Sequence, residues 1–248
     1  MNARPGHGPA DADAVAHVFL DALDDRCEIT GADGHHLQRV RRLTNGESVT
    51  AADGSGAWRR YEVTDTTAGT LALVARSEVQ IEPPPYLSVS VAVALTKSGL
   101  DDVVAAVTEL GVARVLPVRT ARTVVRWDEA RAARAVARLR TVARESAMQS
   151  RRARIPVIDD VVGLKALAGR PGLVVADQTG VAPSGLVADR EHGWTVLVGP
   201  EGGLTPDELS WLCEAPRIAL GRHILRASTA PVAAAAVLGA EAARLSPE

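Results

Sequence analysis

Apolar and polar positions follow two different rhythms along the chain, with a break near residue 83. Before the break, Glu47–Ala51 and Trp58–Val63 read as two strands joined by Asp53-Gly54-Ser55-Gly56, a glycine-rich hairpin turn, and Gly69–Val74 as a third strand. His17 to Leu23 reads as a short strand and turn. Gly34–Leu43 reads as a helix: Leu37, Val40 and Leu43 fall on one face, and Gln38, Arg39, Arg41 and Arg42 on the other. Pro83-Pro84-Pro85 can neither join a central strand nor continue a helix, so residues 1–82 and 83–248 are expected to be separate domains. Past the prolines, strands and helices alternate. Leu87–Leu95, Arg114–Val118, Ile155–Ile158, Leu173–Ala176, Thr195–Val198 and Ile218–Leu220 are strand candidates. Asp101–Leu110 with Gly111 as its C-cap, Asp128 to about Met148, Val161–Leu167 and Ala230–Leu245 are helix candidates, and Gln178–Arg190 is a loop. Strand, helix, strand implies parallel pairing through right-handed crossovers, hence a parallel α/β sheet covered by helices.

Two of these strand ends release glycine loops. Thr195–Val198 leads into Gly199-Pro200-Glu201-Gly202-Gly203. Thr205-Pro206-Asp207-Glu208 then starts a helix, with Thr205 as N-cap, Pro206 at the first helical position and Glu208 completing a capping box. Ile218–Leu220 leads to Gly221, and the last helix starts near Ser228 or Thr229. In open α/β sheets ligands sit at the carboxyl ends of strands. The first loop has no Lys for a phosphate cradle, and Gly199, Gly202 and Gly203 do not fit G-x-G-x-x-G. Glu201 would repel a pyrophosphate and tolerates a ligand with a cationic centre. Taken alone, the glycines and the proline favour a tight structural turn.

Length and composition narrow the classes. The 248 residues suffice for one large domain or two small ones, and 46% apolar content suffices for an ordinary core. No apolar run approaches 18 residues, so no membrane span is expected, and the first twenty residues do not read as a signal peptide. Cys27 and Cys213 lie far apart, and His35-His36 is better explained by a polar turn than by a metal, so no metal site is expected and the thiols suit a cytoplasmic protein. Net charge is −2, yet residues 119–154 hold eleven Arg against three acids, Asp128, Glu129 and Glu145. Such a block is the footprint of a polyanion site, or simply the solvated face of a long helix.

Gly199–Gly203, taken with Leu220-Gly221-Arg222-His223-Ile224-Leu225-Arg226, resembles the signature of the ribosomal RNA small subunit methyltransferase E family of the SPOUT superfamily. Lys97 followed by Glu109-Leu110-Gly111-Val112 resembles the family's first helix. Glu145 to Arg152 with Ile155-Pro156 resembles its Gln-containing helix end, and His35-His36-Leu37 through Val40-Arg41 the start of its N-terminal domain. The resemblance covers nearly the whole chain. Ser228 departs from it, standing where the family usually has Glu.

The resemblance implies a SPOUT-type parallel sheet with a C-terminal trefoil knot, preceded by a PUA-like RNA-binding barrel. It implies methylation of N3 of a uridine in 16S ribosomal RNA, with S-adenosylmethionine as cofactor, by a homodimer. The expected cofactor contacts are Leu197, Gly199, Pro200, Glu201, Gly202, Gly203, Leu220, Gly221, Ile224, Leu225 and Ala230. Ile224 and Leu225 would flank the adenine. Arg226 and Glu201 are the candidate catalytic residues: Arg226 to hold a phosphate or the uracil carbonyls, Glu201 to order the loop or face the substrate. A salt bridge between the two is the competing reading. RNA contacts are expected from Lys97, Arg122, Arg126, Arg151 and Arg152, and from Arg39, Arg41 and Arg42 in the first domain. A ribose 2′-O methyltransferase of the same fold and a non-catalytic RNA-binding module are the alternatives. Asp177 ends a strand and reads equally well as structural.

Overall fold

A computed structural model of the protein describes residues 14–31, 34, 37, 42–67, 69–125 and 127–247. The chain groups into two units, residues 1–84 with 147–155, and residues 85–146 with 156–248.

The first unit is one sheet of β1 (Ala16–Phe19), β2 (Arg26–Ile29), β3 (Ser48–Ala52), β4 (Ala57–Thr67), β5 (Thr70–Ala75) and β6 (Gln80–Ile81). The order is β1-β3-β4-β5-β2 with β6 on β4, and all pairs are antiparallel except β1 with β3. The hairpin turn falls where expected. One Asp53 oxygen accepts from the backbone N–H groups of Ser55, Gly56 and Ala57 at 2.7–3.0 Å, which fixes the bend. β2 and β6 escape an apolar count because most of their side chains face outward. The expected strand at His17–Leu23 is confined to Ala16–Phe19. The helix expected over Gly34–Leu43 falls mostly outside the described residues, Arg39 and Arg41 included.

His17 is buried in this unit. Its Nε2 donates to the Arg152 carbonyl at 3.0 Å, which leaves Nδ1 to accept from the Thr50 hydroxyl at 2.8 Å. Burial lowers its pKa to about 4, so the imidazole is neutral.

The second unit is a parallel sheet with helices. In chain order it holds β7 (Val89–Ala94), α1 (Leu100–Glu109), β8 (Arg114–Arg119), α2 (Glu129–Gln149), β9 (Val157–Ile158), β10 (Val162–Gly163), β11 (Leu173–Val181), β12 (Trp194–Val198), α3 (Pro206–Trp211), β13 (Arg217–Ile218) and α4 (Ala230–Leu245). The last residues of α2 belong to the first unit's grouping. Strand order is β10-β8-β7-β12-β11-β13, with β9 also on β8, and every pair is parallel. β7 and β12 are buried at every position, as expected of strands covered on both faces. The small side chains of Ala230, Ala234, Ala235 and Ala242, with Leu238, let α4 pack closely against β7, β12 and α1.

Two expectations are corrected. Val161–Leu167 is not a helix. It is the short strand β10 followed by a 3-10 turn at Leu164–Leu167, because Val162 and Gly163 pair with Val118 and Arg119. Gln178–Arg190 is not wholly loop either, since β11 runs on to Val181. Asp177 bends the strand by accepting from the Thr179 N–H and hydroxyl, each at 2.8 Å. The strand then rejoins β13 through a register shift. Gly180 permits this, since a Cβ there would stand 2.5 Å from the Ile218 backbone.

Candidate functional site

β12 delivers Val198 to the carboxyl edge of the sheet, and Gly199–Gly203 turn back from it. The Gly203 N–H donates to the Pro200 carbonyl at 2.8 Å, and Gly203 itself has φ +69°, the left-handed region that favours glycine. Thr205 and Glu208 then form the capping box read from the sequence. One oxygen of Glu208 accepts from the Thr205 N–H at 2.9 Å and hydroxyl at 3.2 Å. The other reaches across to the Ala121 N–H at 2.6 Å, although Glu208 is buried. Beside it, Arg122 donates to the Gly202 carbonyl at 2.6 Å. The loop after β8 is thus fastened to the glycine loop at two points.

The second loop, residues 219–229, leaves β13 and enters α4. Ala219 N–H donates to the Val181 carbonyl at 2.9 Å, and the Arg226 carbonyl accepts from the Thr229 and Ala230 N–H groups. Thr229 is the N-cap, without a side-chain cap bond. Between the two loops and the end of β11 lies a cavity of about 560 Å³. Its apolar lining includes Val175, Val198, Leu204, Leu220 and Leu225, and its ionisable lining residues are Asp177, Glu201, His223 and Arg226. The N–H and hydroxyl of Thr179, with Arg217 at 3.3 Å, hold the Asp177 carboxyl below the usual range, so it is ionised.

Of the residues expected at a cofactor site, Gly199, Pro200, Glu201, Gly203, Leu220, Gly221, Ile224, Leu225 and Ala230 come together around this cavity, as does Arg226. Ile224 is 82% exposed there. Two do not line it. Leu197 is buried inside the sheet, and Gly202 is turned toward Arg122, whose side chain a Cβ would meet at 3.5 Å. Among the described residues no hydrogen bond or ion pair joins Glu201 to Arg226. Sequence reasoning missed Val175, Ala176, Gln178, Leu209 and His223 as lining, and weighed Asp177 only as a strand end. Only the pairing of β11 with both β12 and β13 puts its carboxyl end between the loops, and no local motif encodes that.

The expected RNA residues scatter. Lys97 borders a different cavity of the same unit. Arg122 holds the glycine loop. Arg126 lies outside the described residues, and Arg42 is exposed. Arg151 and Arg152 belong to the first unit. Arg151 ends α2 in the left-handed conformation, φ +54°, and donates to the Ala14 carbonyl at 2.6 Å. The Arg152 N–H closes the helix end on the Ala147 carbonyl at 2.9 Å. Among the described residues no group of His, Cys, Asp and Glu is arranged to hold a metal, and no helix is long and apolar enough to cross a membrane.

Residues 82–239 match the family described as RNA methyltransferase domain, and residues 29–75 the RNA methyltransferase PUA domain. The chain is 35% identical over 241 residues to the ribosomal RNA small subunit methyltransferase E of Mycobacterium tuberculosis, covering 91% of this chain and 92% of the relative. It is 31% identical to the protein of the same name from Synechocystis, covering 86% of this chain and 72% of the relative. Among solved structures, a ribosomal RNA small subunit methyltransferase E from Neisseria gonorrhoeae bound to S-adenosyl methionine superposes with a TM-score of 0.81 at 24% identity. The alignment covers 91% of this chain and 97% of that one, and shows a common fold.

Proposed function

Because the chain belongs to the ribosomal RNA small subunit methyltransferase E family, we propose that it methylates N3 of a uridine in 16S ribosomal RNA, with S-adenosylmethionine as methyl donor. The observation that carries this is the cavity that Gly199–Gly203 and Leu220–Arg226 build together. When bound, S-adenosylmethionine supplies an electrophilic methyl group on a positively charged sulfur. The residues present fit such a donor. About 560 Å³ lies within the usual range of cofactor pockets. Leu220, Ile224 and Leu225 offer apolar walls to a flat base, and the backbone of two loops offers polar groups to its edges. Two carboxylates, Asp177 and Glu201, outnumber the one Arg of the lining, Arg226, so the local charge suits a cation better than a phosphate.

Arg226 then holds the uracil oxygens. Its guanidinium stabilises the negative charge that develops on them as the N3 proton passes to solvent water. Glu201 orders the loop or faces the base. Holding base and donor in one place does much of the rest, because orientation alone removes a large part of a bimolecular barrier. Ser228 is exposed at the foot of the second loop and is assigned no part. We further propose the trefoil knot and the homodimer that the resemblance implies, and a cytoplasmic location with the RNA. Domains at 1–82 and 83–248 divide the labour, the first gripping RNA and the second carrying the chemistry.

The test is Arg226→Ala. Methyl incorporation into small-subunit RNA will fall by at least about 100-fold, as for loss of one charge-stabilising donor, while calorimetry shows cofactor binding retained. Loss of cofactor affinity would move Arg226 into the cofactor pocket. Mass mapping of the wild-type product as a 2′-O-methyl nucleoside would overturn the N3 assignment.

A further inference from the structure

We propose that a second cavity of the same unit holds a nucleotide of the substrate RNA flanking the uridine that is modified. This rests on the reading above that RNA is the substrate. The cavity measures about 590 Å³ and lies between residues 96–101, at the start of α1, and residues 124–139, at the start of α2. Like the first, it sits past the carboxyl ends of parallel strands, here β7 and β8, where open α/β sheets bind ligands.

Its lining combines charge and apolar surface. Lys97, Arg131 and Arg138 are its cations and Asp101 its one carboxylate. Arg138 is ion-paired with Asp101. Lys97 and Arg131 are exposed and have no ion pair among the described residues. The lining itself therefore carries a net charge of +2, in a chain whose net charge is −2, with the Asp128 carboxylate, which accepts from the Arg131 backbone N–H at 2.7 Å, beside it. Leu100 and Leu139 are buried apolar residues of the same lining, Trp127 is half-buried, and Val124 is 72% exposed. Lys97 and Arg131 suit a phosphate, and the exposed valine with the part of the indole not packed against the core suits the face of a base. That is how single-stranded nucleic acid is gripped without sequence readout. An acidic peptide would use the cations and leave the aromatic side idle.

The cavity also adjoins the first site along the chain. Trp127 and Val124 lie on the segment whose Ala121 and Arg122 fasten the glycine loop. RNA seated here is held by the same segment that shapes the cofactor loop.

Fluorescence anisotropy with a single-stranded oligoribonucleotide, without cofactor, tests this. Lys97→Ala/Arg131→Ala will weaken binding about 10-fold or more. It will also reduce the slope of log K against log salt by about 0.7 for each phosphate that is no longer neutralised. Trp127→Ala will weaken binding at least about 5-fold with the slope unchanged, as for removal of a stacking partner. Val124→Asp, at an exposed position that the fold does not depend on, will weaken it too. Wild-type affinity and slope in the double variant would overturn the proposal. So would equal affinity for uridine monophosphate alone, or an affinity loss traced by sedimentation to a broken dimer. Loss of RNA binding in these variants, in a protein whose wild type transfers no methyl, would sink the methyl-transfer reading and support the cavity as an RNA site. Full methyl transfer with an unchanged KM for RNA in the double variant would do the reverse.

Discussion

Glu208→Gln alters one atom of a buried side chain, and the geometry around it sets the consequence. Each carboxylate oxygen accepts from a backbone N–H, one from Thr205 and the other from Ala121. An amide has one oxygen. If it faces Ala121, the NH2 group confronts the Thr205 N–H; if it faces Thr205, the NH2 group confronts the Ala121 N–H. Either way one part-buried backbone donor loses its acceptor, at about 1–3 kcal/mol. The surviving bond also loses its charge assistance, about 1 kcal/mol more. A loss of about 2–4 kcal/mol corresponds to about 5–15 °C in melting temperature for a unit of this size. Scanning calorimetry should show this shift in the transition of residues 85–146 with 156–248. Cofactor affinity should fall as well, because the same carboxylate ties the loop after β8 to the glycine loop. A melting temperature within about 2 °C of wild type would refute the two-ended latch.

Two further predictions concern the loops and the first unit. Gly203→Ala forces an L residue into φ +69°, costing about 1–2 kcal/mol, and should weaken S-adenosylmethionine binding in calorimetry more than Gly202→Val, which needs only the Arg122 side chain to move; the opposite ranking would mean that the cofactor lies against Gly202. His17 is neutral in the fold, its pKa lowered from 6.5 to about 4, so its contribution is complete above pH 6.5 and drains away as pH falls toward 4, by up to about 3 kcal/mol. Urea midpoints of the wild type should therefore drop more steeply over that window than those of His17→Asn, and parallel curves would refute the assignment.

Much of this was legible in the sequence, and the remainder has identifiable physical causes. The capping box, the hairpin turn at Asp53–Gly56 and the last helix at Ala230–Leu245 are local, so residues a few positions apart specify them. The two loops were legible because strand, glycine and helix start follow one another directly. What was not legible is long-range. The second oxygen of Glu208 bonds a residue 87 positions away. Arg122 reaches Gly202 across 80 positions, so a side chain read as an RNA contact also serves the loop. β10 exists only because Val118 and Arg119 lie beside it, and β2 is too polar on its outward face to stand out. Gly202 and Leu197 share the motif with the residues around the cavity, yet backbone direction turns one to Arg122 and the other into the sheet.

The position of β12 bears on how the protein is made. Trp194–Val198 occupy the middle of the sheet, between β7 and β11, yet they are synthesised about a hundred residues after β7. Until they emerge, Val89–Ala94 lack a neighbour on one side, and a chain cut short at residue 190 would present that apolar strand to any other chain nearby. Pairing so distant in sequence makes folding slow. Expression of C-terminally truncated chains should give aggregated material in place of smaller folded pieces, and the growing chain should depend on chaperones late in synthesis.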